Sequence, residues 1–298
     1  MARVAVVGVV GRTNAGKSTL VNALVGEKVS IVSPVAQTTR NTVRGIVADE
    51  RGQLVLLDTP GLHKAVGELG RLLNRMARSS AAGTDVTCVV FDASEAPRLE
   101  DVGWMQRIAK EKPSKTLFVL NKADCSPFFE TEFREAWVAA GGDFEPKWVK
   151  SIASTEGGAK AVLNALFDFA EEGEKLFDDE IVTDYPRKLA IADAIREKYL
   201  SRLRGEMPHE LGVLVKKLEE NGDRWNVEAD IIVNRPSQKS IVVGKGAEMV
   251  KFVRKAAERE IGGMFGVKAR LELWARVEPN WMKNRRLLAE MGYLGGLV

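Results

Sequence analysis

The chain has 298 residues, of which 45% are hydrophobic and 29% charged, a composition that fits a globular protein with two domains. Its only cysteines, Cys88 and Cys125, exclude a disulfide framework and supply too few ligands for a cysteine zinc site. The formal net charge of +3 divides unevenly, because residues 1–180 have 22 basic and 25 acidic side chains, whereas residues 181–298 have 22 and 16.

The first 170 residues have the pattern of an α/β domain. An apolar run at 3–10 leads into a glycine loop, and a helix is expected to begin at Gly16. Further apolar runs predict buried strands at 54–57, 86–91, 116–120 and 148–152, with helices at 69–80, 101–110 and 161–169. Because these strands lack polar alternation and are separated by helices, we expect a mostly parallel sheet covered on both faces.

Composition changes at residues 171–186, EEGEKLFDDEIVTDYP, which are acidic, contain a proline and lack periodicity. We interpret this segment as the connection between a first domain, residues 1–170, and a second domain, residues 187–298. In the second domain the patterns predict, in order, a helix at 188–203, strands at 211–218 and 226–233, a β-run from Ile241, a glycine turn at 244–247, a helix at 248–261 and a strand at 267–275.

The sequence Gly11–Ser18, GRTNAGKS, fits the phosphate-binding pattern G-x-x-x-x-G-K-[ST] and lies between a predicted strand and a predicted helix, as that loop requires. Its glycines allow backbone N–H groups to approach phosphate oxygens at the N-terminus of the helix. We expect Lys17 to bridge the β- and γ-phosphates and the hydroxyl of Ser18 to bind Mg²⁺. The residues predicted to contact the nucleotide in this loop are Gly11, Arg12, Thr13, Asn14, Ala15, Gly16, Lys17, Ser18 and Thr19.

Two later segments are expected to complete the phosphate and metal site. In the sequence QTTR at 37–40, a threonine can join the Mg²⁺ shell while the γ-phosphate is present; Thr39 is favoured over Thr38, and the alternative is a polar loop. At the end of the 54–57 strand, a carboxylate can hold Mg²⁺ through water and a glycine N–H can contact the γ-phosphate. The nucleotide-binding residues predicted there are Asp58, Thr59, Pro60 and Gly61. The residues predicted to act in hydrolysis are Lys17, Thr39 and Gly61, and those predicted to hold Mg²⁺ are Ser18, Thr39 and Asp58.

The sequence NKAD at 121–124 follows the predicted strand at 116–120. The carboxylate of Asp124 can accept hydrogen bonds from N1–H and N2–H₂ of guanine, a donor pair that adenine lacks. Asn121 is expected to brace this loop and touch the base, and the stem of Lys122 to pack over its face. In a further loop, the backbone N–H of Ala153 is expected to reach guanine O6. The residues predicted to bind guanine are Asn121, Lys122, Ala123, Asp124, Ile152, Ala153 and Ser154.

The order of the motifs GRTNAGKS, QTTR, DTPGLH and NKAD, continued by Ser79-Ser80, resembles the Era family of bacterial GTPases, and the similarity covers nearly the whole chain. The resemblance implies an α/β P-loop GTPase domain followed by an α+β KH-like domain of type II. It also implies that the protein binds GTP and GDP, hydrolyses GTP, binds 16S rRNA near its 3′ end and acts in assembly of the 30S ribosomal subunit.

Three positions bear on the hydrolysis that this resemblance implies. Leu62 stands where small signalling GTPases have the glutamine that orients the attacking water, so catalysis is expected to depend on positioning, Mg²⁺ and another charge. His63 is the next candidate for a catalytic role, and a structural histidine is the alternative. Asn14 stands where related GTPases place an asparagine that helps bind K⁺, which makes K⁺ a candidate second cofactor.

The segment IVVGKGAEMVK at 241–251 resembles the G-x-x-G loop of a KH domain, in which small residues let an RNA backbone come close. Its fourth position is Ala247, whose methyl group disfavours a positive φ. Trp281 and Trp274 lie near basic residues and are candidates for base stacking, although Trp274, inside a predicted strand, is expected to pack. The residues that the resemblance implies for RNA contact are Val243, Gly244, Lys245, Gly246, Ala247 and Lys251.

A function of another class stays open on the sequence. Because Ala247 departs from the KH pattern, the second domain could instead be an interaction module of a GTPase that regulates a protein or membrane partner. The N-terminus has no apolar core of a signal peptide, and no window reaches the ~20 apolar residues of a membrane span. We expect a cytoplasmic monomer that can also associate peripherally with the cell membrane.

Overall fold

The computed structural model describes residues 2–33, 35, 38–61, 67–79, 83–155 and 157–294. Contacts divide the chain into two units, one made of residues 1–30 and 39–184 and the other of residues 31–38 and 185–298. The strands of the first unit are β1 (Ala2–Val10), β2 (Val43–Asp49), β3 (Gly52–Asp58), β4 (Val86–Asp92), β5 (Thr116–Asn121), β6 (Lys147–Lys150) and β7 (Glu171–Gly173). Its helices are α1 (Lys17–Val25), α2 (Gly67–Ser79), α3 (Leu99–Glu111), α4 (Glu130–Ala139) and α5 (Lys160–Phe169).

The sheet of the first unit is mostly parallel, with the strand order β2-β3-β1-β4-β5-β6. β1 pairs in parallel with β3 and β4, and the parallel order continues through β5 to β6. Every residue of β4 and β5 is buried, as expected for strands that are covered on both faces. The carboxyl ends of these parallel strands meet at one edge, which is where ligands bind in sheets of this kind.

Strand β2 is absent from the predicted elements because Arg44 and Gly45 interrupt its apolar run. The glycine serves packing, since a Cβ at Gly45 would lie 2.8 Å from Cγ2 of Val25 in α1. Antiparallel pairing with β3 then buries Ile46 and Val47. Pairing and packing therefore outweigh a weak local pattern.

The segment 171–186, predicted to be a connection, is bonded to the first unit along most of its length. Its first residues form β7, which pairs antiparallel with β1. The side chain of Gln53 accepts a hydrogen bond from the N–H of Phe177 at 3.0 Å, and the N–H of Ile46 donates to the carbonyl of Val182 at 2.8 Å. The sheet uses the backbone groups of this segment, so the first unit extends to residue 184.

The second unit packs its three longest helices against one face of a small sheet. Its helices are α6 (Arg187–Leu200), α7 (Met207–Glu210), α8 (Pro236–Val243), α9 (Glu248–Phe265) and α10 (Arg285–Glu290), and its strands are β8 (Gly212–Asn221), β9 (Arg224–Val233) and β10 (Lys268–Val277). β9 lies in the centre, antiparallel to β8 and parallel to β10. Ile195 and Tyr199 of α6 and Val253 of α9 share a buried core with Ile231 of β9. This order of elements is the α+β KH-like arrangement that the resemblance implies.

The predicted β-run at 241–243 is wrong, because these residues are the last turn of α8. Pro236 occupies the first turn of that helix, where its missing N–H costs no hydrogen bond. The side chain of Gln238 accepts hydrogen bonds from the N–H groups of Asn234 and Arg235 at 2.9 and 3.1 Å. These start signals outweigh the β preference of the Ile-Val-Val run.

Among the residues that the structure describes, no helix combines the length and the apolar character needed to cross a lipid bilayer.

Candidate nucleotide site and nucleic-acid loop

The loop between β1 and α1 has a backbone that requires glycine at two positions. Gly11 has φ +147°, and a Cβ there would lie 2.3 Å from the carbonyl oxygen of Val90. Gly16 has φ +95°, and a Cβ there would lie 2.2 Å from Nδ2 of Asn121. Asn14 adopts the left-handed conformation with φ +63°. This close-packed turn directs backbone N–H groups and the start of α1 toward the space where the predicted phosphates would lie.

Lys17 lies across this loop, as the phosphate-binding motif predicts. Its side chain is buried, and its Nζ donates a hydrogen bond to the carbonyl of Arg12 at 2.7 Å. Burial lowers the pKa of Lys17 to about 8, while the charge of Asp58 opposes that shift. Gly61 lies beside Lys17 and Thr13, since a Cβ at Gly61 would be 2.8 Å from Nζ of Lys17 and 2.7 Å from the N atom of Thr13. The structure therefore brings together the lysine and the glycine that were predicted to act on the γ-phosphate.

Oxygen atoms of the predicted metal ligands lie within hydrogen-bond distance of one another. The hydroxyl of Ser18 donates to Oδ2 of Asp58 at 2.7 Å and lies 3.0 Å from Oγ1 of Thr39. Asp58 is completely buried, and its Oδ1 has no hydrogen-bond partner among the described residues. Burial raises the pKa of this carboxyl group above its ordinary value. Two hydroxyls and a buried carboxylate with an uncommitted oxygen fit Mg²⁺, which prefers oxygen ligands.

The two candidate threonines have different surroundings. The hydroxyl of Thr38 donates to the carbonyl of Val35 at 2.6 Å, and its own carbonyl accepts a hydrogen bond from Nη1 of Arg196 at 2.8 Å, within the second unit. Only Thr39 has its hydroxyl beside Ser18 among the described residues, which agrees with the choice of Thr39. Gln37, Leu62, His63 and Ser80 lie outside the described residues.

The loop after β5 braces the phosphate loop, as expected for Asn121. Its Nδ2 donates to the carbonyl of Ala15 at 3.0 Å, and its Oδ1 accepts from the N–H of Ala153 at 3.1 Å. The latter bond differs from the prediction, because the N–H of Ala153 is already used within the protein. The N–H of Ser154 has no such bond among the described residues. Asp124 is exposed, and among the described residues its carboxylate has no hydrogen-bond or ion-pair partner.

Two other predicted residues direct their side chains away from the expected ligand. The hydroxyl of Thr59 is buried and donates to the carbonyl of Val9 at 2.9 Å, so it anchors the loop. The guanidinium of Arg12 is also buried and lies 3.0 Å from Asp101 and 3.2 Å from Asp92. Arg12 therefore contributes its backbone, and not its side chain, to the phosphate loop.

Asp92 lies at the same edge of the sheet but belongs to none of the sequence motifs. It ends β4 as Asp58 ends β3, so the same signal, a polar residue directly after a buried strand, could have found it. It contacts Arg12 and also Lys122, whose Nζ it binds. The lysine of the NKAD loop is thus fixed by a carboxylate from a neighbouring strand.

The glycine turn of the second unit keeps the conformation of a close-approach loop despite Ala247. Gly244, Gly246 and Ala247 have φ values of +75°, +59° and +63°, so the alanine adopts the left-handed region as well. At Gly244 a Cβ would lie 2.8 Å from the backbone N of Met249, and side chains are excluded there. The basic residues of this loop and of the following helix are exposed and comprise Lys245, Lys251, Arg254, Lys255 and Arg259.

Trp274 and Trp281 have the opposite of their expected surroundings, because the residue expected to pack is exposed and the candidate for base stacking is buried. Trp274 is 64% exposed, because the alternation of β10 directs it away from the helices. Trp281 is completely buried, donates from Nε1 to the carbonyl of Glu210 at 3.0 Å and packs where Gly212 leaves room. Packing is therefore the role of Trp281, and Trp274 is the one available for stacking.

Comparison with known proteins agrees with this geometry. Residues 6–122 match the family described as 50S ribosome-binding GTPase, and residues 206–282 match the KH domain family. The chain is 36% identical to GTPase Era of Nostoc sp. over 96% of this chain and 88% of that protein, and 35% identical to GTPase Era of Leuconostoc citreum over 96% and 95%.

Solved structures extend the comparison to the whole fold. The crystal structure of Era in complex with MgGDPNP and nucleotides 1506–1542 of 16S ribosomal RNA matches with a TM-score of 0.91 and 30% identity, over 98% of this chain and 99% of that one. Era of Aquifex aeolicus bound to GDP·AlF₄⁻ matches with a TM-score of 0.89 and 30% identity, over the same shares of the two chains. The phosphate loop, the guanine loop and the KH domain stand in the same order along the chain, which is a GTPase and belongs to the Era family.

Proposed function

We propose that this protein is a GTP-dependent switch that binds 16S rRNA near its 3′ end and acts, as a cytoplasmic monomer, in assembly of the 30S ribosomal subunit. The observation that carries the proposal is the match over 98% of the chain to an Era structure that holds both MgGDPNP and nucleotides 1506–1542 of 16S rRNA. The left-handed backbone of the 244–247 loop supports it, because Ala247 keeps the geometry that an RNA backbone needs.

In this proposal the nucleotide is held from both ends. Lys17 and the N–H groups of the phosphate loop bind the phosphates, and the Gly61 N–H contacts the γ-phosphate. Ser18, Asp58 and, in the GTP form, Thr39 hold Mg²⁺, which neutralises phosphate charge when it is bound. At the other end, Asp124 accepts from the guanine N1–H and N2–H₂, and the N–H of Ser154 donates to O6. Loss of the γ-phosphate on hydrolysis releases Thr39 and Gly61, and the loops that contain these two residues then change conformation.

Guanine selection by Asp124 can be tested by changing its hydrogen-bond pattern. Asp124→Asn replaces one acceptor oxygen by a donor, which suits the 2-oxo group of xanthine better than the 2-amino group of guanine. We expect GDP affinity to fall by at least about 100-fold and XDP affinity to rise, measured by competition against a fluorescent nucleotide. Unchanged preference for guanine would remove Asp124 from the site.

We also propose that K⁺ acts as a second cofactor and stimulates GTP hydrolysis. The motive is Asn14 in the phosphate loop together with leucine at position 62, which cannot orient water. We expect GTP hydrolysis to be faster in KCl than in NaCl of equal ionic strength, and Asn14→Ala to remove the difference. Equal rates in the two salts for the unchanged protein would contradict the K⁺ site.

The RNA proposal is tested by filter binding of a short oligonucleotide of the 16S 3′ end. The protein is loaded with a GTP analogue, with GDP or with neither, and tighter binding in the GTP-analogue form is expected. Equal affinity in all three forms would argue against the switch. Recovery of the protein from cells with membranes, rather than with 30S particles, would favour the alternative of a membrane or protein partner.

A further inference from the structure

A carboxylate outside the nucleotide-binding motifs joins the two loops of the nucleotide site. Asp92 ends β4, and its side chain is 5% exposed. Its Oδ2 lies 3.2 Å from Nη2 of Arg12 in the phosphate loop and also accepts a hydrogen bond from Nζ of Lys122 in the NKAD loop. Its Oδ1 accepts from the hydroxyl of Ser94. One carboxylate therefore holds a cation from each of two loops that contact opposite ends of the nucleotide.

The surroundings of Asp92 keep it ionised. Burial acts to raise its pKa, but hydrogen bonds from Lys122 and Ser94 and the charges of Lys122 and Arg12 hold the pKa below its ordinary value. Arg12 is shared with Asp101, at 3.0 Å from its Nε, and with Glu95. The contacts of Asp92 are consequently charge-assisted and stronger than neutral hydrogen bonds.

The backbone of Lys122 explains why its anchor matters. Lys122 has φ +62°, a left-handed conformation that is unfavourable for a residue with a Cβ. The turn that begins there is closed by a hydrogen bond from the N–H of Cys125 to the carbonyl of Lys122 at 3.0 Å. This turn carries the exposed Asp124. Fixing the lysine side chain stabilises the turn, and the turn determines where the carboxylate of Asp124 lies.

We propose that Asp92 is a positioning residue for guanine selectivity: by holding Lys122 beside Arg12 of the phosphate loop, it keeps the Asp124 carboxylate where the 2-amino group of guanine can bind. The inference rests on the proposed contact between Asp124 and guanine. It adds that the selectivity of this contact depends on a residue that touches neither base nor phosphate.

The test compares two diphosphates that differ in one group. IDP lacks the 2-amino group of GDP, so the ratio of their dissociation constants reports how well Asp124 is placed. Asp92→Asn keeps the shape of the side chain but removes its charge. We expect it to lower the preference for GDP over IDP by about tenfold, measured by competition against a fluorescent guanine nucleotide.

Glu95→Gln is the matched control, because Glu95 pairs with Arg12 and with Arg98 but not with Lys122. It neutralises a carboxylate of the same cluster and should leave the ratio for GDP and IDP unchanged. Circular dichroism checks that each variant is folded. If Asp92→Asn is unfolded, Lys122→Met supplies the test, since it keeps the stem and removes the bond to Asp92; it should lower the ratio similarly.

The proposal is overturned if Asp92→Asn weakens GDP and IDP by the same factor, or weakens neither. Asp92 would then act on the phosphate loop alone or have a purely structural role. A preserved ratio in Lys122→Met would overturn it as well. If the unchanged protein itself does not prefer GDP over IDP, the guanine contact of Asp124 fails first, and that result is distinguishable from a failure of Asp92.

Discussion

At the scale of single residues, burial divides the two cysteines into an inert thiol and an accessible one. Cys88 lies inside β4, and burial raises its pKa to about 12, so it forms almost no thiolate at neutral pH. Cys125 is exposed and directly follows Asp124. We expect one thiol per chain to react rapidly with a chromogenic disulfide reagent in the native protein and two after denaturation. We also expect bound GDP to slow the fast reaction, because the base covers the adjacent loop.

The unfolded protein is the control for this labelling, since it must release both thiols. Two rapidly reacting thiols in the native protein would show that the central strand of the sheet opens easily. Modification of Cys125 that is unaffected by GDP would argue against a base at Asp124.

The residue scale also shows what a sequence can reveal about a site. Asp58, Asn121 and Asp92 each end a buried parallel strand, and the structure places all three at the same edge of the sheet. Known motifs contain the first two, whereas Asp92 belongs to no motif; its position after an apolar run is visible in the sequence, but its contacts with Arg12 and Lys122 are visible only in the fold. The sequence also does not reveal that the N–H of Ala153 donates to Asn121, because every residue other than proline has a backbone N–H and the side chain does not show which acceptor it meets.

At the scale of elements, Ala247 tests how much the left-handed turn costs. Ala247→Gly should stabilise the protein by about 0.5–1 kcal/mol, because glycine removes the penalty of a positive φ but loses more entropy on folding. The free energy of unfolding measured in urea checks this. Ala256→Gly, the same change inside α9, should destabilise by about 1 kcal/mol, since glycine is a poor helix former. A loss of stability in Ala247→Gly would show that the methyl group has a packing role.

A second prediction compares Trp274, which lies in β10, with Trp281, which follows that strand. Trp281→Ala should cost about 3–5 kcal/mol, because it leaves a cavity and removes the hydrogen bond to Glu210. Trp274→Ala should change stability by less than about 0.5 kcal/mol, since its ring is 64% exposed. Urea unfolding followed by circular dichroism compares the two. Similar losses in both variants would contradict the burial pattern of this region.

Elements with strong local signals were predictable, and those held by partners were not. The strands β1, β3, β4 and β5 are long apolar runs and were expected near their observed positions. The pairing of β2 depends on contacts with distant residues, which no local pattern contains. At 241–243 two local signals conflict, because the helix-start signals at Pro236 and Gln238 outweigh the β preference of the Ile-Val-Val run.

At the scale of the whole molecule, the charge difference between the two halves predicts how RNA binding responds to salt. Residues 181–298 carry 22 basic and 16 acidic side chains, and Lys245 is exposed in the glycine turn. RNA affinity should fall steeply as salt rises, because bound counterions are released from phosphates. Lys245→Gln should reduce the slope of log affinity against log salt by about 0.7, the value for one phosphate contact on a single strand.

Lys217→Gln is the control for this slope, because Lys217 lies on β8 and pairs with Glu219 at 2.6 Å. It removes the same charge and should leave the slope unchanged. An equal reduction in both variants would indicate that net charge, and not the glycine turn, determines RNA binding.

The bonded segment after α5 has a consequence for how the chain can be cut. A truncation after residue 170 would remove β7 and the Val182 contact, and would leave unsatisfied backbone groups at the start of β1 and at Ile46 in β2. A truncation after Asp184 would keep them, together with the ion pair between Arg44 and Asp184 at 2.9 Å. The segment that the sequence predicts to be a connection is thus part of the first unit as far as Asp184, and a fragment meant to fold as that unit must include it.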